Sequence, residues 1–163
     1  MNVISNSSPL INFAVLGRFT LLRELYETLV IPDAVYHEVV VAGQGQPGAA
    51  EVEQADWITR AAVSTPTVRA ALHELGRGEA EAVALAVEHP GALLILDERR
   101  GRLAAFNLHV DIIGTRGVLL VAKRKGLLAA LAPEIEQLQT QVGFRMHADL
   151  KAKVLQEAGE REG

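Results

Sequence analysis

Three of the chain's acids, Glu38, Glu79 and Asp97, sit where a carboxylate could do more than solvate a helix face. The sequence has no cysteine, so disulfides and thiolate–metal sites are excluded, and any metal must be held by oxygen or imidazole. His37, His73, His89, His109 and His147 are scattered without ligand-like pairing and receive no role. What remains is oxygen chemistry. Acids gathered at one place either hold a hard cation or repel each other.

Each of these residues also has an ordinary reading. Asp97 precedes a predicted helix, where Asp is a favoured N-cap contributing about 1 kcal/mol. Against that, Arg99 and Arg100 fill the first turn, where the helix dipole disfavours cations, and a second acid, Glu98, follows. Glu79 opens a helix after Gly76-Arg77-Gly78, which suits the dipole. At ~100° per residue Glu81 lies about 200° further round, so it is expected on a solvated face. Glu38 sits near a helix end, among Val35, Val39 and Val40, and reads equally well as an exposed glutamate.

The elements that must position these groups alternate. Strand-like runs fit residues 2–5, 28–31, 57–63, 92–96 and 109–113. Ala92–Leu96 is wholly apolar, as in a parallel strand buried on both faces. Helices fit residues 10–16, 19–26, 34–42, 49–54, 65–76, 79–88, 97–106, 116–125, 129–140 and 148–158. In the last, Met146, Leu150, Val154 and Ala158 recur every fourth residue. Such alternation predicts a three-layer α/β/α arrangement around a parallel sheet with right-handed crossovers. Ligands in these sheets bind beyond the carboxyl ends of the strands, where strand order reverses. Asn6, Asp33, Asp97 and Thr115 each follow a predicted strand, so polar groups gather along that edge.

With 163 residues one domain over 1–163 is expected, with a helical tail from about residue 129. No apolar run approaches the ~18 residues of a membrane helix, and Met1 leads into a strand-like segment rather than a signal sequence; a cytoplasmic location is expected. The net charge of −4 conceals a split. Residues 99–125 carry seven basic groups against Asp111, a sum of +6, leaving −10 for the rest. One electropositive region on an acidic body follows, unless these are simply solvated helix faces. Gly43, Gly45 and Gly48 spell G-x-G-x-x-G, but they follow a helix and Pro47 interrupts them, which removes the dinucleotide reading. No phosphate-binding G-x-x-x-x-G-K, nucleophile-elbow G-x-S-x-G or H-E-x-x-H is present.

Five segments in order resemble the PIN-domain nucleases, and most closely a prokaryotic branch akin to VapC toxins. They are I-S-N-S-S-P-L-I from Ile4, V-Y-H-E-V-V from Val35, L-G-R-G-E-A-E-A-V-A-L-A from Leu75, L-I-L-D-E-R-R from Leu94 and G-T-R-G-V-L-L-V-A-K-R-K-G from Gly114. Residue by residue, the resemblance implies metal positions at Asn6, Glu38, Glu79 and Asp97, with Glu38, Glu79 and Asp97 catalytic. Ser8 matches the family's hydroxyl residue two places after the first acid, and Thr115 lies near the same edge. The departure is Asn6, an amide where most of the superfamily has aspartate. The implied function is a Mg²⁺- or Mn²⁺-dependent endoribonuclease, the toxin of a toxin–antitoxin pair. The implied partners are RNA and a small antitoxin protein at the acidic edge, with a homodimer also allowed. Arg99, Arg100, Arg102 and Arg116 are the residues expected to hold the RNA backbone. A degenerate PIN module that binds RNA or a protein without cleaving is the alternative that Asn6 permits.

Overall fold

A computed structural model describes residues 2–66, 70, 72–141 and 148–160. Among them, β1 (Val3–Ser5), β2 (Leu29–Pro32), β3 (Ile58–Ala61), β4 (Leu93–Ile95) and β5 (Asp111–Ile113) form one sheet in the order β3-β2-β1-β4-β5. Every pairing is parallel. From β1 the chain first builds outward through β2 and β3, then returns to the other side of β1 for β4 and β5. Strand order therefore reverses between β1 and β4, whose register pairs Val3 with Leu93 and Ser5 with Ile95.

Side chains alternate across these strands, as a period of two requires. Val3, Leu29, Ile31 and Ile95 enter one buried cluster, while Ile4, Leu94 and Leu96 enter another. The first cluster is completed by α1 (Ser7–Val15), α2 (Phe19–Tyr26), α7 (Thr115–Arg124), α8 (Ala132–Gln141) and α9 (Ala148–Glu157), through residues such as Phe13, Leu22, Leu119, Leu138 and Leu155. The second is completed by α5 (Arg77–Glu88) and α6 (Arg99–Asn107), through Ala82, Val83, Leu85 and Ala105. Two clusters on opposite faces make the three layers. A fully buried Leu or Ile in either contributes roughly 1.5–3 kcal/mol. No helix among the described residues is long and apolar enough to cross a membrane.

Three expectations need correction. The helix expected over residues 34–42 is a short α3 (Asp33–Tyr36) that widens into a π-helical turn, His37–Val41, closed by Ala42 N–H donating to the His37 carbonyl at 2.8 Å. Such wide turns recur at functional sites, and Glu38 lies within this one. The second correction concerns Glu81, which is 3% exposed rather than solvated. Its carboxylate accepts the Ala34 N–H at 3.3 Å and the Arg77 guanidinium at 3.2 Å. The helical-wheel argument failed because α5 is covered nearly all round: Gly78 and every residue from Ala80 to Ala86 are buried. The strand expected over 57–63 shortens to Ile58–Ala61. At that outer edge Arg60 pairs with Asp33 at 3.3 Å and lies 4.0 Å from the centre of the Tyr36 ring. Of the helix expected over 65–76, residues 67–69 and 71 fall outside the described residues, as do Met146 and His147, and residues 72–75 form a turn.

Candidate active site

Asn6 ends β1. Its N–H continues the ladder by donating to the Ile95 carbonyl at 3.0 Å, so its position is fixed by the two strands at the reversal point. The side chain occupies the N-cap position of α1 but caps nothing; Nδ2 instead donates to Glu98 Oε2 at 3.1 Å. Ser8, in the first turn of α1, donates to the other oxygen of Glu98. Asn6 Oδ1 is buried and accepts no hydrogen bond.

Asp97 follows β4, and its N-cap reading is withdrawn. Glu98 holds that position, and no side chain caps α6. Asp97 reaches across to the next strand's end, where Thr115 donates its N–H to Oδ1 at 2.7 Å and its hydroxyl to Oδ2 at 2.5 Å. Asn12 Nδ2 adds a bond to Oδ2 at 3.1 Å and one to the Thr115 hydroxyl at 3.2 Å. Burial raises the Asp97 pKa; the Thr115 hydrogen bonds lower it, Glu98's charge raises it and Arg102 lowers it, and the balance stays upward.

Glu79 comes from the first turn of α5. Burial raises its pKa, the negative charges of Glu98 and Glu38 raise it further, and Arg100 opposes them. Among the described residues it accepts no hydrogen bond. Glu38, from the wide turn, accepts Ser7 Oγ at 2.6 Å and the Gly78 N–H at 3.0 Å.

Three glycines make room for three acids. A Cβ on Gly78 would stand 2.6 Å from the Glu38 carboxylate, one on Gly101 2.8 Å from Glu79 Oε2, and one on Gly114 3.0 Å from Asp97 Oδ1. The Gly114 Cβ would also meet Arg102 Nη1 at 2.8 Å. A cleft of about 800 Å³ runs from Asp97 past Arg99, Arg102 and Arg116 to Leu103. Arg100 turns elsewhere, into a groove of about 690 Å³ beside Leu72 and Leu75.

The sequence matches the family model DUF3368, described as a PIN domain, over residues 2–160. The chain belongs to the PIN-domain family. No curated protein matches it. PIN domains are in general nucleases, hence hydrolases, and typically use divalent metals.

In this PIN domain Asn6, Glu79 and Asp97 share one edge with Glu98, and Glu38 adjoins them through its charge on Glu79. Ser8 and Thr115 are hydrogen-bonded into the same group. Sequence reasoning missed three members. Glu98 carried a visible signal, a second acid where a cap needs only one. Asn12 carried another, an amide inside the apolar run Leu10-Ile11-Asn12-Phe13. Ser7 carried none.

Among the described residues no three acidic or histidine side chains already form a metal cage; Glu38, Asp97 and Glu98 accept hydrogen bonds from neighbouring donors, while Glu79 does not. The donor set nevertheless fits a hard cation. All its members offer oxygen, Asn6 Oδ1 is buried without a donor, and Glu98 and Glu38 set like charges against a partly buried Glu79. A cation would supply that compensation.

Proposed function

We propose that this PIN domain is a metal-dependent endoribonuclease. The reading rests chiefly on one observation: Asn6, Glu79, Asp97 and Glu98 meet at the strand reversal, with an orphaned amide oxygen among them. Asn6, Glu38, Glu79 and Asp97 would hold Mg²⁺ or Mn²⁺. When bound, such an ion lowers the pKa of a ligated water and stabilises charge developing on the scissile phosphate. Thr115 and Asn12 keep the Asp97 carboxylate in one orientation, as outer partners of ligands do. Glu79 accepts no hydrogen bond among the described residues, so one of its oxygens would remain to take the proton from the attacking water while the other faces the ion. The water oxygen bonds to phosphorus, the bond from phosphorus to the leaving ribose oxygen breaks, and the proton passes from Glu79 to that oxygen. Arg99, Arg102 and Arg116 line the adjoining cleft and would hold neighbouring phosphates without reading bases.

Incubation of purified protein with RNA and Mn²⁺ tests this. Cleavage that a chelator abolishes is expected; RNA left intact in Mn²⁺ would reject the nuclease reading. It would instead favour a non-cleaving module that binds RNA or a protein, a reading for which the amide at Asn6 speaks. The resemblance to VapC-like toxins also supports a toxin role with a small protein inhibitor. Expression of the chain alone should then slow growth, and equal growth with an Asp97→Asn form would count against it.

A further inference from the structure

Helix α6 carries an exposed aromatic that neither the core nor the acidic group uses. Phe106 is 71% exposed, and Leu103, one turn before it, is 61% exposed. Arg99, Arg102, Leu103 and Phe106 recur at i, i+3, i+4 and i+7, so they share one helix face. Arg99, Arg102 and Leu103 of that face line the cleft that begins at Asp97. Phe106 stands about 10 Å beyond Arg99 along the helix. The stripe therefore runs from carboxylates, through guanidinium groups, to an unshielded aromatic ring.

We infer that Phe106 is a base-stacking platform at the far end of a basic track for the RNA strand, formed by this helix face. The inference rests on the nuclease reading for its substrate and adds a binding residue outside the acidic group. Guanidinium groups follow a phosphate backbone and an aromatic ring stacks any base, the combination that sequence-tolerant single-strand sites use. A duplex hides its base faces, so the ring has nothing to stack on there. An ordinary protein-docking face would also be apolar, but in this one Leu103 and Phe106 follow two cations, and the face continues into an acidic centre. Charge complementarity thus favours a polyanion, with the same strand passing from the ring to the acids.

The test is fluorescence anisotropy with a labelled single-stranded 20-mer RNA and with the same strand in a duplex, both in chelator so that no cleavage occurs. Phe106→Ala should weaken single-strand binding about tenfold, the scale of one lost stacking contact, and leave the salt dependence unchanged. Arg102→Ala should instead flatten the salt dependence. Phe106→Tyr should bind like the parent, whereas Phe106→Leu should not restore affinity. Unchanged affinity in Phe106→Ala, or full recovery in Phe106→Leu, would overturn the stacking role. So would a parent that dissociates from dimer to monomer on Phe106→Ala, because the ring would then cover a second copy. Since Phe106 is exposed, a thermal melt of each variant should match the parent. Failure here is separable from failure of the nuclease reading. RNA cleaved in Mn²⁺ with Phe106→Ala fully active refutes the track alone, while Phe106-dependent binding without cleavage refutes the nuclease alone.

Discussion

The two sides of the acidic group are built differently. On the β4–β5 side, Asp97 accepts two hydrogen bonds from Thr115 and one from Asn12, so its carboxylate has one orientation. On the α5 side, Glu79 accepts none among the described residues and feels the like charges of Glu98 and Glu38. One acid is fixed by the protein; the other is left with unspent acceptor capacity beside its neighbours. Preorganised sites commonly need both: a rigid anchor that costs no reordering when the ligand arrives, and an unfilled group that the ligand itself satisfies. The contrast predicts that neutralising the fixed acid acts mainly on rate, and neutralising the open acid mainly on stability.

The largest effect is expected at the anchor. Asp97→Asn should lower cleavage by more than about 100-fold, since losing even an outer partner of a ligand typically costs 10–100-fold. The metal-free protein should be as stable as the parent or more so, because the substitution removes a charge that burial disfavours. A gel assay and melts in chelator check both. An unfolded variant would make Asp97 a structural residue.

Gly78→Ala should come next, with activity reduced about tenfold. Alanine in a helix is normally worth about 1 kcal/mol over glycine, but here its Cβ would meet Glu38 at 2.6 Å. Glu38 would move aside and give up the Gly78 N–H, offsetting most of that gain. A stabilised variant with full activity would remove Glu38 from the site.

Asn6→Asp probes the boundary between the two sides. Oδ1 is free to accept, but Nδ2 now donates to Glu98. Aspartate would lose that donor and face Glu98 directly, so part of its added attraction for a cation is cancelled. Mn²⁺ affinity should rise by about 1 kcal/mol, roughly fivefold, and the metal-free protein should melt lower. Calorimetric titration with melts in chelator measures both, and an unchanged affinity would exclude Asn6 from the metal.

The smallest effect is a pH dependence on the open side. A carboxyl whose pKa is raised on folding binds its proton more tightly in the folded state. Its destabilising charge is therefore absent at acid pH and appears as pH rises through the folded value. In chelator, Glu79→Gln should be more stable than the parent near pH 7 by about 1–3 °C in Tm, and the difference should vanish as Glu79 protonates. Comparing these two proteins cancels groups that titrate in the opposite sense, such as Glu160. Burial would raise its pKa, but hydrogen bonds from the Ala132 N–H, Lys123 and the Leu131 N–H hold it low.

The layers and the parallel sheet were legible because helices alternate with apolar runs such as Ala92–Leu96, which respond to burial directly; the order of the strands was not, since it depends on contacts between distant segments. Asn6 and Asp97 were legible as residues just past strand ends, and the family match over residues 2–160 agrees with the resemblance. Glu81 was misread because helical periodicity assumes one wet face, and α5 has almost none. Glu98 was seen as an anomaly but not placed, since its direction depends on Asn6 and Ser8, more than 80 residues away in the chain. The Thr115–Asp97 contact joins the ends of two neighbouring strands, a register no local pattern encodes. The wide turn at Glu38 has no sequence signature at all.

Arg60 gives the sheet's outer rim a further property. An unpaired strand is an open invitation to another strand, and proteins deter such merging with charge and brevity. β3 places a guanidinium in its middle, held against Tyr36 and Asp33; at the opposite rim β5 spans three residues and begins with an exposed Asp111. Neither rim is a good template for continuous cross-molecular strands. Copies of this molecule at high concentration should therefore resist fibre-like aggregation through the sheet, and self-association would have to use side-chain surfaces rather than shared backbone.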